Sequence, residues 1–520
     1  MINRMRPKWR RLHSVLLALL AVTSFLLYAA GVLTLRQDRI PGWALEGAGG
    51  ITAAASYLVY GTPFGAVEHE VEAKFIHPGG LSVQEILALV AKKSIPPGAV
   101  DPTTIDGTGA GTDVFTIFAM AMFGLNVFSL VLLYLLMIGI AVGAFMLRYR
   151  DRRLIVVPLY FLCVTVMLLT PLGASADAVI SMPVGGQRYF VLAAFLPALH
   201  IFLEIVDPAA AANLKRQIAN SLALLVQGLL LFAALLVRSS TGYLVLVLFA
   251  AWTWRLYRER GQPALLRALL RKTAILACTG AISIAVVVIA LPAYVQSGRL
   301  FGNFWHRAFS TLSVHPDWPF GDLQQVYDCT KYLPQGLDKN VPDANGQCVW
   351  WAYPPNAKRP FYDVARATYG GEYERVVRRA YFYVLTHYPR QVFETYAFVK
   401  SGLIAKQLEA AWKDLFELAR APVAKSLFGV AAAQLLLFAT FAAAVAVADR
   451  TIIDWQMAVF PVSFVLSLAP LYVAMATAPT TLDTVFLMYA CIVLALLSLL
   501  QLGAKRLGLL TLGRAEGQGR

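Results

Sequence analysis

Residues 1–35 read MINRMRPKWRRLHSVLLALLAVTSFLLYAAGVLTL. Arg4, Arg6, Lys8, Arg10 and Arg11 crowd the start, and the run 14–35 that follows carries no charged residue. A helix needs about 20 apolar residues to cross the hydrocarbon core of a bilayer, and this run supplies them. A secretory leader also starts basic, but its apolar core is only about 7–15 residues long. The segment therefore reads as an uncleaved anchor. Its basic flank stays on the cytoplasmic side, because Lys and Arg in short flanks set orientation.

Outward from this anchor the same pattern repeats. Apolar runs fall at about 125–147, 154–172, 189–206, 218–237, 242–254, 274–295, 425–448, 457–475 and 484–502, about ten spans in all. Composition agrees. The 520 residues are 58% hydrophobic and only 14% charged, with a mean hydropathy of +0.62. A soluble protein carries about 25% charge. A cytosolic enzyme, a disordered chain and a collagen-like chain are excluded, and the fold class expected is an all-α polytopic membrane protein. The net charge of +15 would suggest nucleic acid in a soluble protein. Here it distributes as loops of a membrane protein do, so no nucleic-acid partner is expected.

Alternation of the spans decides which connections face the cytoplasm. They hold Arg148, Arg150, Arg152 and Arg153; Lys215 and Arg216; Arg255, Arg258, Arg260, Arg267, Arg271 and Lys272; Arg450; and Lys505, Arg506, Arg514 and Arg520. The excess of Lys and Arg on one side puts both termini in the cytoplasm. The chain then divides into a cytoplasmic N-terminus (1–13), the anchor (14–35), an acidic outer loop (36–113), spans two to seven (114–295), an aromatic-rich outer loop (296–422), spans eight to ten (423–502) and a cytoplasmic tail (503–520). Residues 114–123 read as an interfacial helix leading into the second span. The localisation expected is the inner membrane of a Gram-negative-type bacterium.

Two long polar loops on the outer face are where chemistry is expected, because connections of this length are functional more often than not. Of the five cysteines, Cys163, Cys278 and Cys491 lie in spans and read as buried apolar residues. Cys329 and Cys348 share the second outer loop. In an oxidising compartment a disulfide between them is expected, closing a loop of about 20 residues worth about 3 kcal/mol by the chain-entropy estimate; two free thiols are the alternative. The chain has no CxxC pair, no nucleotide-binding glycine loop and no internal repeat, so it is not expected to draw on ATP directly.

After the anchor the first outer loop reads RQDRIPGWALEGAGGITAAASYLVYGTPFG, residues 36–65. Pro41 and Gly42 break the helix, Glu46 follows, and an Ala-rich helical run at about 48–60 ends at Gly61 and Pro63. An anchor, a short turn, an acidic residue and an interfacial helix with Tyr57 and Tyr60 in this order resemble the GT-C class of membrane glycosyltransferases. That resemblance implies a GT-C-like fold and transfer of a sugar from a polyprenyl-phosphate donor at the outer leaflet. It implies a carboxylate just after the first span as catalytic base, which maps onto Glu46, with Asp38 second. The chemical need is general: the acceptor hydroxyl must lose its proton as it attacks the anomeric carbon. The Asp-Glu or Asp-x-Asp pair carried by many members is absent from this loop. The plainer reading of Glu46 is a solvated carboxylate or the cap of the helix behind it.

The departing lipid phosphate needs cations at the outer ends of spans. Arg188, in GGQRYF, and Arg238, in VRSSTG, stand in short outer loops that positive-inside bias should keep free of basic residues. Snorkelling and headgroup pairing are the alternative. The second outer loop opens FGNFWHRAFSTLSVHPDW, residues 301–318. It brings Trp305, His306, Arg307 and His315 into one stretch, with aromatic faces for sugar stacking and cations for phosphate; an interfacial aromatic belt is the alternative. Trp350 and Trp351 are followed by Ala352, so the Trp-Trp-Asp motif of the oligosaccharyltransferase branch is absent. Further on, residues 372–386 and 394–420 read as amphipathic helices. Their basic residues Arg375, Arg378, Arg379, Lys400 and Lys406 form a solvated face or rest on anionic headgroups.

The partners expected are a polyprenyl-phosphate-linked sugar, a glycolipid or polysaccharide acceptor, and membrane lipids. No cofactor is assigned; a divalent metal is compatible with the reaction, but no ligand spacing specifies one. Three other functions fit the outline, one of them a purely structural or assembly protein. An O-antigen ligase or polysaccharide polymerase also has many spans and an outer loop with Arg and His. A lipid or glycan flippase would use ionisable residues in mid-membrane. His200 and Glu204, four apart on the fourth span, share a face. Glu204 falls near the cytoplasmic end, within expected reach of water, which weighs against a relay.

Overall fold

The computed structural model describes residues 57, 110–124, 128–149, 190–206, 214–237, 241–290, 304–318, 320, 371–406, 409, 463 and 465–467. These residues are helices and their connecting turns, with no strand among them. Six helices form a bundle: α1 (Ala110–Phe123), α2 (Phe128–Tyr149), α3 (Phe190–Val206), α4 (Leu214–Val237), α5 (Gly242–Arg258) and α6 (Pro263–Ala290). Three of its helical stretches are long and apolar enough to cross a membrane: Leu132–Tyr149, Lys215–Val237 and Pro263–Ala290.

The centre of the bundle is α3, which packs against α2, α4 and α5. Residues 193–205 are buried on every side, as expected of a helix that is apolar all round. Helix α4 completes the interior, touching α1, α2, α3 and α6. Its Gly228 lets α6 approach: a Cβ there would stand 2.7 Å from Thr279 Oγ1. Small residues at such crossings allow the close backbone packing that drives helix association in lipid. The outward faces are apolar, with Phe249 63% and Ile289 80% exposed. Hydrocarbon accepts such a surface without cost, since the backbone behind it is satisfied within its own helices.

Helix ends follow local chemistry. α1 closes on Gly124, whose φ of 91° is the left-handed conformation glycine adopts without penalty. Its N–H donates to Met120 O at 2.9 Å, and Ser129 Oγ donates to its carbonyl at 2.5 Å. α1, which leads into α2, buries Phe115, Thr116, Ala119 and Met120 and packs on α2 and α4. α5 and α6 form a hairpin: Glu259 N–H donates to Arg255 O and Gln262 N–H to Glu259 O, each at 3.0 Å. Trp252 Nε1 donates to Thr273 Oγ1 at 2.9 Å across the pair.

Two expectations change here. The stretch containing Arg267, Arg271 and Lys272, read as a connection, is the start of α6, which begins at Pro263. Proline is preorganised for the first helical position, and the Leu, Ala and Arg that follow are strong helix formers. Cys278, expected to be buried, is exposed: α6 packs on α4 and α1 and turns its other side outward.

The remaining helices form a small unit: α7 (Phe304–Ser310), a 3₁₀ turn (Thr311–Val314), α8 (Gly371–His387) and α9 (Pro389–Glu394), which runs through a π-helical turn (Thr395–Val399) into residues 400–406. Its core is Phe309, Leu312, Phe320, Val377, Ala380, Val384 and Val392. On α8, Val377, Ala380 and Val384 keep the i, i+3, i+7 spacing of one helical face, each large side chain worth about 1.5–3 kcal/mol on burial. α8 matches the helix read at 372–386. The following helix starts earlier than the 394 read from the sequence, because Pro389 sits in its first turn.

Candidate functional site

The small unit holds all four described residues that the sequence nominated. Glu46, Asp38, Arg188, Arg238, Cys329 and Cys348 lie outside the described residues. Trp305 and His306 open α7, and the opening is built by α8. Glu374 takes the Trp305 N–H on Oε2 at 2.8 Å and the His306 N–H on Oε1 at 3.1 Å. One carboxylate thus satisfies two of the four N–H groups that every helix start leaves open, and its charge suits the positive end of the helix dipole. Burial pushes the Glu374 carboxyl above its ordinary range, against these two hydrogen bonds and the nearby His306 and Arg307.

Trp305 sits among aromatic rings, with Phe304, Tyr381 and Phe382 at centroid distances of 5.0, 5.8 and 5.4 Å. The Arg378 guanidinium lies 5.4 Å over the Trp305 ring and 5.9 Å over Phe382. This is cation–π range, and Arg is the side chain that both stacks on rings and reads phosphate. Arg307 and Arg378 are exposed, whereas the His306 side chain is buried. The atoms placed to meet a ligand are therefore the two guanidinium groups and the open part of the aromatic cluster.

His315 is buried against Phe320. Its Nδ1 accepts the Asp317 N–H at 3.1 Å, which leaves the ring proton on Nε2, 3.6 Å from Glu394 Oε2. Glu394 also takes Arg390 Nε at 2.8 Å, and that hydrogen bond, before all else, holds its carboxyl below the ordinary range.

Lys400 was expected on a solvated face, but it is only 2% exposed. Its Nζ donates to Thr311 Oγ1 at 3.2 Å and lies 5.0 Å over the Tyr396 ring. Tyr396 and Tyr381 share a hydroxyl contact of 3.2 Å. The cause is the π turn, in which Lys400 N–H bonds to Thr395 O, five residues back. The extra residue in the turn brings Lys400 round to the inward side of buried Thr395. Burial lowers the Lys400 amine to about 7 and raises the Tyr396 hydroxyl. Neither Glu374 nor Lys400 could be singled out from spacing: the first acts across a loop, and a π turn leaves no mark on a 3.6-residue pattern.

A second polar cluster lies inside the bundle. Glu204, near the end of α3, pairs with Arg148 Nε from the last turn of α2 and takes Lys272 Nζ from α6 on Oε2 at 2.6 Å. Tyr149 Oη donates to it at 3.1 Å, and Lys272 Nζ also reaches the Glu204 carbonyl at 2.7 Å. The expectation that Glu204 reaches water is corrected: its side chain is 3% exposed, because two cations close over it. The cluster sets the ends of α2 and α3 and the start of α6 at one level. One turn inward, His200 Nδ1 lies 3.4 Å from Gln227 Nε2, and Gln227 donates to Ala141 O at 2.7 Å.

Among the described residues no group of three His, Cys, Asp or Glu comes together as a metal would need. The chain is a helical membrane protein, all-helical where described and with three membrane-length apolar helices. No protein-family model, curated protein or solved structure matches it.

Proposed function

We propose that the chain is a GT-C-like glycosyltransferase of about ten spans in a bacterial inner membrane, with both termini cytoplasmic and both long loops outside. It moves a sugar from a polyprenyl-phosphate carrier to a lipid or envelope-glycan acceptor. Glu46, or Asp38, takes the acceptor proton. Arg188 and Arg238 join Arg307 in holding the carrier phosphate, and Trp305 offers the ring face on which a sugar stacks.

The observation that carries this reading is the Trp305–Phe382 cluster with Arg378 lying over both rings; Arg307, two residues beyond Trp305 along α7, is exposed. Aromatic faces next to guanidinium groups suit a ligand that is part sugar and part phosphate. His306 and His315 are buried and belong to the frame behind that surface. The same Arg- and His-bearing helices also favour a ligase or polymerase, which uses the same class of carrier.

The test is glycolipid profiling of cells carrying Glu46→Gln or Arg378→Ala in place of the wild type. The product should disappear with the first and fall by up to roughly 10²–10³-fold with the second, the range for losing one transition-state charge contact. An unchanged profile with Glu46→Gln removes the base assignment. A profile in which long polymer is lost while single-sugar transfer persists selects the ligase or polymerase.

A further inference from the structure

Helix 389–406 has an inward face and an outward face that differ in an unusual way. Val392, Thr395, Lys400 and Ile404 are buried. The outward side is not polar: Phe393 is 64% and Phe398 67% exposed, with Leu403 exposed further along. In a regular helix, residues five apart diverge by more than a quarter turn. The π turn Thr395–Val399 closes that gap, and the Phe393 and Phe398 rings meet edge to face with centroids 6.0 Å apart. The device that buries Lys400 therefore also gathers two aromatic rings on the opposite side.

Exposed basic residues outnumber acids around this face, where Glu394 is paired with Arg390 and exposed Glu409 follows Lys406. Arg390, 86% exposed, stands at one end and exposed Lys406 at the other. The acid within the helix, Glu394, is held by Arg390 and His315. Exposed Arg378 and Arg379 lie on the adjoining helix α8. Large apolar side chains flanked by exposed Lys406, with Arg378 and Arg379 on the adjoining helix, mark a helix lying in the interface of an anionic membrane. A second copy of a basic face would repel this one.

We propose that the outward face of helix 389–406 is a membrane-insertion surface. Phe393, Phe398 and Leu403 enter the acyl boundary, while Arg390 and Lys406 pair with anionic headgroups of the bilayer the protein spans. The proposal rests on the chain being a membrane protein and stands or falls apart from sugar transfer.

The test uses the full-length protein in nanodiscs of phosphatidylglycerol or phosphatidylcholine. A photo-crosslinking benzoylphenylalanine replaces Phe393, Phe398 or, as the polar reference, Asp317, whose side chain is 81% exposed. The expected result is a lipid adduct by mass spectrometry at 393 and 398 in clear excess over 317, with more adduct in phosphatidylglycerol. Arg390→Glu together with Lys406→Glu should abolish the preference for phosphatidylglycerol. Equal lipid adduct at all three positions, or none, overturns the proposal. A crosslink to a second copy overturns it in favour of self-association, and a yield in the wild-type background indifferent to lipid charge overturns the role of the two cations.

Discussion

Lys272 in the bundle and Lys400 in the small unit are both withdrawn from solvent, but they are satisfied differently. Lys272 faces the Glu204 carboxylate at 2.6 Å and shares it with Arg148. Lys400 meets the Thr311 hydroxyl and the face of Tyr396. An ion pair in a low-dielectric interior keeps both partners charged, and removing one partner strands the other. A hydroxyl and a ring offset much less of the desolvation of an ammonium, so the Lys400 amine titrates near neutrality. The bundle thus uses charge to register three helix ends, and the small unit tolerates a charge that its π turn rotates inward.

The largest effect expected from breaking this contrast is in the bundle. Glu204→Gln leaves Arg148 and Lys272 buried without their counter-ion and should cost about 3–5 kcal/mol, read as a fall in thermal stability in detergent. Replacing all three with Arg148→Met, Glu204→Leu and Lys272→Met should return most of that loss, since apolar groups of similar volume often substitute for a buried ion cluster. A single variant as stable as the wild type would show that the cluster closes nothing.

Lys400→Met should be as stable as the wild type or more so at pH 7, and the sign of its pH dependence sharpens the contrast. The folded amine near 7 lies below the unfolded value of about 10.4. Between those values the unfolded chain holds a proton that the folded chain lacks, so wild-type stability rises with pH across that window and is flat below it. The slope is at most about 1.4 kcal/mol per pH unit. The advantage of Lys400→Met should therefore shrink from pH 7 to pH 10 in paired melting curves; a constant difference would mean that the amine keeps its charge on burial.

The smallest effect is expected at Arg390→Ala. Its pair with Glu394 is exposed and spans i, i+4, where solvent screening leaves little net gain. The melting temperature should stay where it is; a clear drop would make the His315–Glu394 contact part of the small unit's framework.

Helix class and approximate position were legible in the sequence, because apolar length and periodicity are local properties. Runs read at 189–206 and 372–386 coincide with α3 and α8. Boundaries shifted where local chemistry outweighed hydropathy, as at Pro263, where an amphipathic start carrying three basic residues belongs to the helix and not to a loop. Of the nominated residues, Trp305 and His306 begin a helix whose opening is held by Glu374, which stands far along the chain and carries no local signal. The charge pattern by itself determined that this chain belongs in a membrane, since so few charged residues cannot cover a soluble globule. Only the tertiary structure decided which charges are used: Glu204 is sealed by cations from two other helices, and Lys400 is turned inward by one extra residue in a helical turn. Both outcomes depend on atoms brought together from distant parts of the chain, and periodicity along one helix does not encode them.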